Sequence, residues 1–298
     1  MPTSAGARFR SLVYGPEGLL LPGVFDALSA RVAERAGHRA AYLSGSAVAM
    51  TLLGLPDIGL LSGAEMIDQA RRVTSAVGIP VIADADTGYG NALNVRHTVR
   101  SFEAAGVAGV QLEDQAFPKR CGHFDGTSLI PADEMVGKIR AAIAARDDPA
   151  LVVIARTDAL AVLGLEAALE RAREYSRAGA DIIFVEAPRT LDQLRTIGEL
   201  PGSPKLVNVV EGGRTPELSR AEYVALGFRV ILYPTVAVRV SASSLEGIYR
   251  HLGIHGSSVG FDRGISTFEE RNEINDLGSW LEWEQRFAPR ADAGADRL

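Results

Sequence analysis

A chain of 298 residues, 47% hydrophobic and 23% charged, carries apolar material for one large core or two small ones, which excludes a disordered or fibrous protein. A formal net charge of −6 without a basic stripe excludes nucleic acid as a partner, and no apolar run is long enough to span a bilayer. A single cysteine excludes an internal disulfide framework and fits a reducing cytoplasm, and Met1 to Arg10 lacks the apolar centre of a secretory signal.

In chain order, one unit repeats. Leu19 to Gly23 is an apolar run, followed by helical spacing from Asp26, placed as a cap, to Ala36. Ala40 to Ser44 predicts a second strand, then a long glycine-containing loop and a helix over Ala64 to Val77. Pro80 to Asp84 is a third strand with a helix near Asn94 to Ala105, and Ala108 to Leu112 a fourth with a helix over Ala132 to Ala145. Leu151 to Ala155 precedes a helix over Leu165 to Ala178. Asp181 to Val185, Lys205 to Val209 and Arg229 to Tyr233 complete eight strands, each of these last three followed by a helical pattern. The phrase Ala-Gly recurs before strands, at Gly37, Gly106 and Gly179, as a helix C-terminal stop.

Short, continuously apolar strands alternating with amphipathic helices are the signature of parallel strands covered on both faces. Eight units at this length predict a closed (β/α)8 TIM barrel over residues 1–264, with a doubly wound open sheet as the alternative. Residues 265–298 form a C-terminal helical extension ending in a small, charged tail expected to fray.

In a barrel the C-terminal strand ends meet at one mouth. Here they carry Ser44-Gly45-Ser46, Asp84 and Asp86, Glu113 and Asp114, Arg156 and Asp158, Glu186, Asn208 and Glu211. Asp84 and Asp86, two apart on an extended chain, point the same way, and with Glu113 on the next strand make an all-oxygen group suited to Mg²⁺ or Mn²⁺. The five histidines lack the spacing of a zinc site. Beyond Glu113 comes Lys119-Arg120-Cys121-Gly122-His123, the sole thiol set between cations in a loop. Such neighbours favour a reactive thiolate over a space-filling cysteine.

The phrases Tyr42-Leu-Ser-Gly-Ser46, Leu53-Gly-Leu-Pro-Asp57, Asp84-Ala-Asp86, Glu113-Asp-Gln115, Lys119 to His123 and Ala155-Arg-Thr-Asp158 resemble the isocitrate lyase/phosphoenolpyruvate mutase superfamily, from about Phe9 to beyond Arg271. The resemblance implies a barrel, Mg²⁺, and a homotetramer exchanging C-terminal helices, for which Ser266 to Arg286 is the candidate. It implies that Asp84 and Asp86 hold the metal, with Glu113 outside them. Ser44, Gly45, Ser46 and Gly122 would meet the carboxylate of a small 2-hydroxy or 2-keto acid, with Glu186, Asn208 and Arg239 also at the substrate. Arg156 would stabilise the developing negative oxygen, Cys121 would protonate the departing carbanion, and Lys119 and His123 would tune the thiol. Either Asp57 or Tyr42 would take the substrate hydroxyl proton.

The implied activity is a carbon–carbon lyase acting on a 2,3-dimethylmalate- or methylisocitrate-like acid. A carboxyvinyl-carboxyphosphonate phosphorylmutase ranks second and an oxaloacetate hydrolase third. Val210 replaces the threonine expected of methylisocitrate lyases, and Pro234 stands where the hydrolases tend to carry serine. A non-catalytic dicarboxylate-binding barrel is the alternative of a different class. Cys121→Ser is expected to retain the fold and the metal requirement while losing about 10²–10⁴-fold in turnover. The alkaline limb of the wild-type pH–rate profile, set by a thiol with a reference pKa of about 8.5, should vanish with it. Near-normal turnover of the variant would remove the acid role.

Overall fold

The computed structural model describes residues 3–119, 127–262 and 264–288. Eight parallel strands close into a barrel in sequence order: β1 (Leu19–Val24), β2 (Ala41–Leu43), β3 (Val81–Asp84), β4 (Gly109–Glu113), β5 (Val152–Thr157), β6 (Ile182–Val185), β7 (Lys205–Asn208) and β8 (Phe228–Tyr233). Closure comes from β8 pairing with β1, Leu19 opposite Val230. The helices are α1 (Ala5–Val13), α2 (Ala27–Arg35), α3 (Gly45–Val48), α4 (Gly63–Ala76), α5 (Ala92–Ala104), α6 (Ala132–Ala145) and α7 (Ala159–Leu163). They continue with α8 (Leu165–Arg177), α9 (Leu191–Gly198), α10 (Arg220–Ala225), α11 (Val236–His255), α12 (Phe268–Ile274) and α13 (Leu277–Phe287).

Side chains alternate along each strand, so every second residue enters the barrel. The lower interior is apolar: Leu21, Tyr42, Ile82, Ile154, Phe184, Leu206 and Val230 belong to one buried cluster. Gly109 has no side chain because a Cβ there would lie 2.7 Å from Val152 Cβ and 2.9 Å from Ile82 Cδ1. Two residues further along the same inward rows the chemistry changes, to Ser44, Asp84, Gln111 then Glu113, Arg156, Glu186 and Asn208. The outward rows, with Leu43, Val110, Leu112, Val153 and Ile183, pack under the helices in a second cluster.

The N-terminal end of the barrel is plugged. Phe9 and Val13, four apart on α1, join the interior cluster. Arg10 holds the helix there, donating from Nε to Ala150 O at 2.8 Å and pairing with Asp181 at 2.8 Å. A Cβ on Gly6 would fall 2.4 Å from Ala150 O, so this approach requires glycine. The opposite end of the barrel carries a cavity among its strand ends.

The stretch predicted as loop after β2 is instead α3 followed by a π-helical turn, Ala49–Leu53. Helix α1 was not anticipated, although Ser4 caps it. The glycines of the repeated Ala-Gly phrase do adopt positive φ, 86° at Gly37, 88° at Gly106 and 105° at Gly179. Asp86 departs from the extended conformation expected of it: β3 ends at Asp84, and Asp86 has φ 47°.

Contacts divide the chain into compact units at residues 1–243 and 244–298. In the second, the stretch predicted as one amphipathic segment is two helices, α12 and α13, separated at Asp276 with φ 55°. Phe268, Trp280 and Trp283 there are 60–74% exposed. Among the described residues no helix is long and apolar enough to cross a membrane.

Candidate active site

A cavity of about 500 Å³ sits at the mouth, lined by residues from almost every strand end. On one side Lys119 is the hub. Its Nζ lies 2.5 Å from Asp57 Oδ1 and 2.8 Å from Asp86 Oδ1, with both side chains largely buried. Burial opposes the ammonium charge, but Asp86, Asp57, Glu113 and Asp84 outweigh it and hold the lysine well above its ordinary pKa. The turn that brings Asp86 there is closed by its own N–H donating to Asp84 Oδ1 at 3.1 Å. Asp84 also accepts from Gly45 N at 3.3 Å and from Gln111 Nε2 at 3.4 Å.

On the other side Arg156 is the hub. It grips Asp158 with two parallel bonds, Nε to Oδ2 at 2.9 Å and Nη2 to Oδ1 at 2.8 Å. Glu113 Oε2 lies 3.4 Å from Nη1 and Glu186 Oε2 3.7 Å from Nε, and the guanidinium stands over the Phe184 ring. Asn208 donates to Glu186 at 3.2 Å.

Among the described residues the charges do not balance. Asp84, Asp86, Glu113, Asp158 and Glu186 are all buried, facing Lys119 and Arg156 as the cations beside them. Burial, with Asp84 nearby, raises Asp86 to about 6 despite Lys119. Burial also lifts Glu113 well above the usual carboxylate range and Asp158 less far, each against the pull of Arg156. Glu113 Oε1 is buried without a hydrogen-bond partner. An acidic, oxygen-only donor set with an orphaned oxygen and raised pKa values fits a hard divalent cation such as Mg²⁺. Among the described residues no three such side chains close on one point, so part of an ion's shell would be left to water or substrate.

The family described as phosphoenolpyruvate phosphomutase matches residues 9–252, the span that builds the barrel and every strand-end residue above. The chain belongs to this family. It is 42% identical over 285 residues to 2,3-dimethylmalate lyase of Eubacterium barkeri, covering 96% of this chain and 99% of that one. It is 44% identical to the chloroplastic carboxyvinyl-carboxyphosphonate phosphorylmutase of Arabidopsis thaliana, covering 94% and 84%. A crystal structure of phosphonopyruvate hydrolase, in complex with oxalate and Mg²⁺, superposes with a TM-score of 0.86 at 30% identity, covering 96% and 99%.

Within this phosphoenolpyruvate phosphomutase family barrel, Tyr42, Ser44, Ser46, Asp57, Asp84 and Glu113 all reach the cavity, as do Lys119, Arg156, Glu186, Asn208 and Arg239. Asp86 stands behind them on Lys119, and Gly45 contributes its N–H to Asp84. Ser44 Oγ is occupied as the cap of α3, accepting from Ala47 N. Arg239 bonds Glu211 through both its carbonyl, at 2.8 Å, and its carboxylate, at 3.2 Å. Cys121, Gly122 and His123 lie outside the described residues. Lys119 is engaged by Asp57 and Asp86, an arrangement not anticipated for a residue assigned to the thiol. Tyr42 donates to Gln111 Oε1 at 2.8 Å, and burial followed by Asp84 raises its pKa well above the ordinary value, so it is a neutral donor. Gln111 was not singled out as a site residue, and Asp158 was placed at the mouth without a role. The inward row Gly109, Gln111, Glu113 is the signal for the first, and the row Ile154, Arg156, Asp158 for the second.

Because Asp86 is raised to about 6 in the fold against a reference of about 3.9, its protonated form is favoured in the folded state. That contribution is complete below about 4 and is lost as pH rises through about 6. Glu113 and Asp158 act with the same sign. In chelator, the melting temperature of the wild-type chain should therefore fall relative to Asp86→Asn between about pH 4 and 6. A flat difference across that window contradicts the assignment.

Proposed function

We propose that the chain is a Mg²⁺-dependent carbon–carbon lyase that cleaves a 2-hydroxy dicarboxylate of the 2,3-dimethylmalate kind to a 2-keto acid such as pyruvate and a carboxylic acid. The observation that carries the substrate class is the contrast between the two sides of the cavity. The acidic strand ends face a wall contributed by Phe184, Val210, Leu232 and Pro234. Methyl groups lose water favourably against such a wall. The extra carboxylate of a methylisocitrate-like acid would need a partner there, and the nearby Arg239 already bonds Glu211. The same wall disfavours phosphonate and hydrolase substrates that lack methyl groups.

Asp84 and Glu113 at the cavity, with Asp86 behind them on Lys119, would hold a divalent cation such as Mg²⁺ (or Mn²⁺), which would supply positive charge to the oxygens of the substrate. The relative crystallised with oxalate and Mg²⁺ supports this choice. Ser46 and the backbone of the Ser44–Ser46 turn orient the carboxylate. Asp57 takes the hydroxyl proton, since Tyr42 holds its own against Gln111. The C2–C3 bond then breaks, its electron pair passes to C3 and into the attached carboxylate, and the 2-oxygen becomes the keto oxygen. Arg156 stabilises the charge that develops, and Cys121 returns a proton to C3.

The exposed aromatics of α12 and α13 support a closed homotetramer that exchanges these helices, and the single thiol supports a cytoplasmic setting. The test is release of 2-keto acid from a panel of 2-hydroxy di- and tricarboxylic acids, with Mg²⁺ and with chelator. Turnover should be highest on the methyl-substituted dicarboxylate and abolished by chelation. Val210→Thr should move the preference toward the tricarboxylate by about 10-fold or more. Preferred turnover of the tricarboxylate by the wild type, or turnover that survives chelation, would overturn the reading.

A further inference from the structure

Arg156 owes its orientation to Asp158, and Asp158 is itself held from outside the barrel. The peptide N–H of Asp158 donates to Asp114 Oδ1 at 3.0 Å, and the preceding Thr157 Oγ1 donates to Asp114 Oδ2 at 2.7 Å. Asp114 is fully buried and points away from the cavity. Its charge is met on α8, where Arg171 Nη1 donates at 2.9 Å and Tyr175 OH at 2.8 Å, both to Oδ2. Arg171 also donates from Nη2 to Ile130 O at 3.0 Å, while Ile130 N donates to Asp114 O at 2.9 Å. One buried carboxylate thus joins the ends of β4 and β5, helix α8 and the segment at Ile130.

We propose that Arg171 is a positioning residue for Arg156, acting through Asp114 and the Thr157–Asp158 peptide. A guanidinium must meet a developing charge in a fixed direction, and a displacement of about 1 Å costs up to about 10²-fold. The bidentate grip of Asp158 supplies that direction only while its own backbone is fixed, and the Asp114 carboxylate fixes it. Arg171 supplies the opposite charge beside the Asp114 carboxylate, which accepts from four donors.

The test uses Arg171→Met, with Tyr175→Phe as the milder variant should the first fail to fold. The expected result for Arg171→Met is a kcat lower by about 10- to 100-fold at unchanged KM, since Arg156 acts on charge that appears after binding. Tyr175→Phe should lose less, and Arg171→Lys should recover part of the loss. Adding Asp158→Asn to Arg171→Met should cost nothing further, because both act through one guanidinium. A crystal structure of the variant should show the Arg156–Asp158 pair turned or opened. A lowered melting temperature with unchanged kcat, or an intact pair in the variant, would overturn the proposal. Its kinetic arm rests on the lyase reading. A wild-type chain without turnover on any hydroxy acid defeats that reading, while the Arg156 geometry in the variant still decides this one.

Discussion

The structure depends on a deliberate excess of negative charge at the strand ends. Five buried carboxylates and the largely buried Asp57 side chain surround Lys119 and Arg156. Two like charges about 4 Å apart repel by about 4 kcal/mol at an effective dielectric of about 20, so the set is unstable fully ionised and alone. Burial first, and the neighbouring carboxylates after it, raise Asp86, Glu113 and Asp158. On the proposed reading a divalent cation would offset this repulsion further, and a substrate carrying its own negative charge could then enter.

Such a site needs a rigid surround, and the barrel supplies it by layering. The inward rows of β2 to β7 run from an apolar or aromatic residue, or Gly109, to a polar or charged side chain two residues on, over a base sealed by Phe9 and Val13. The apolar layer anchors the charged one and keeps water from reaching it from below. On the β6 to β8 side apolar residues continue into the mouth, where Leu232, Val210 and Pro234 complete the wall on which the proposed substrate class rests. Support also comes from outside the barrel, through the Asp114 cluster.

Much of this was legible in the residues. Eight apolar runs with helical patterns between them, and polar residues at the run ends, specified a closed barrel and nearly all the residues at its mouth. What was not legible is partnership. Lys119 was read beside the thiol two residues away, and its pairing with Asp57 and Asp86, distant in sequence, was not foreseen. Tyr42, read together with Asp57 as a candidate for the hydroxyl proton, donates to Gln111, a partner two strands away that its own neighbours do not announce. Asp114, beside Glu113, points to the opposite face, as alternation requires, and serves the scaffold. Local patterns carry burial and period, while charge pairing is decided by strands that meet only in the closed fold. Helix α1 escaped notice because one short amphipathic turn pair, Phe9 and Val13, carries little periodic signal.

The central claim is that the acidic strand ends form a binding site for one divalent cation. The most direct measurement is titration of the chelator-stripped chain with Mn²⁺, followed by the paramagnetic signal of the free ion, in wild type and in Asp84→Asn. One site per chain, outcompeted by Mg²⁺ and lost or greatly weakened in the variant, is the result predicted. No saturable binding in the wild type, or binding unchanged in Asp84→Asn, would contradict the account.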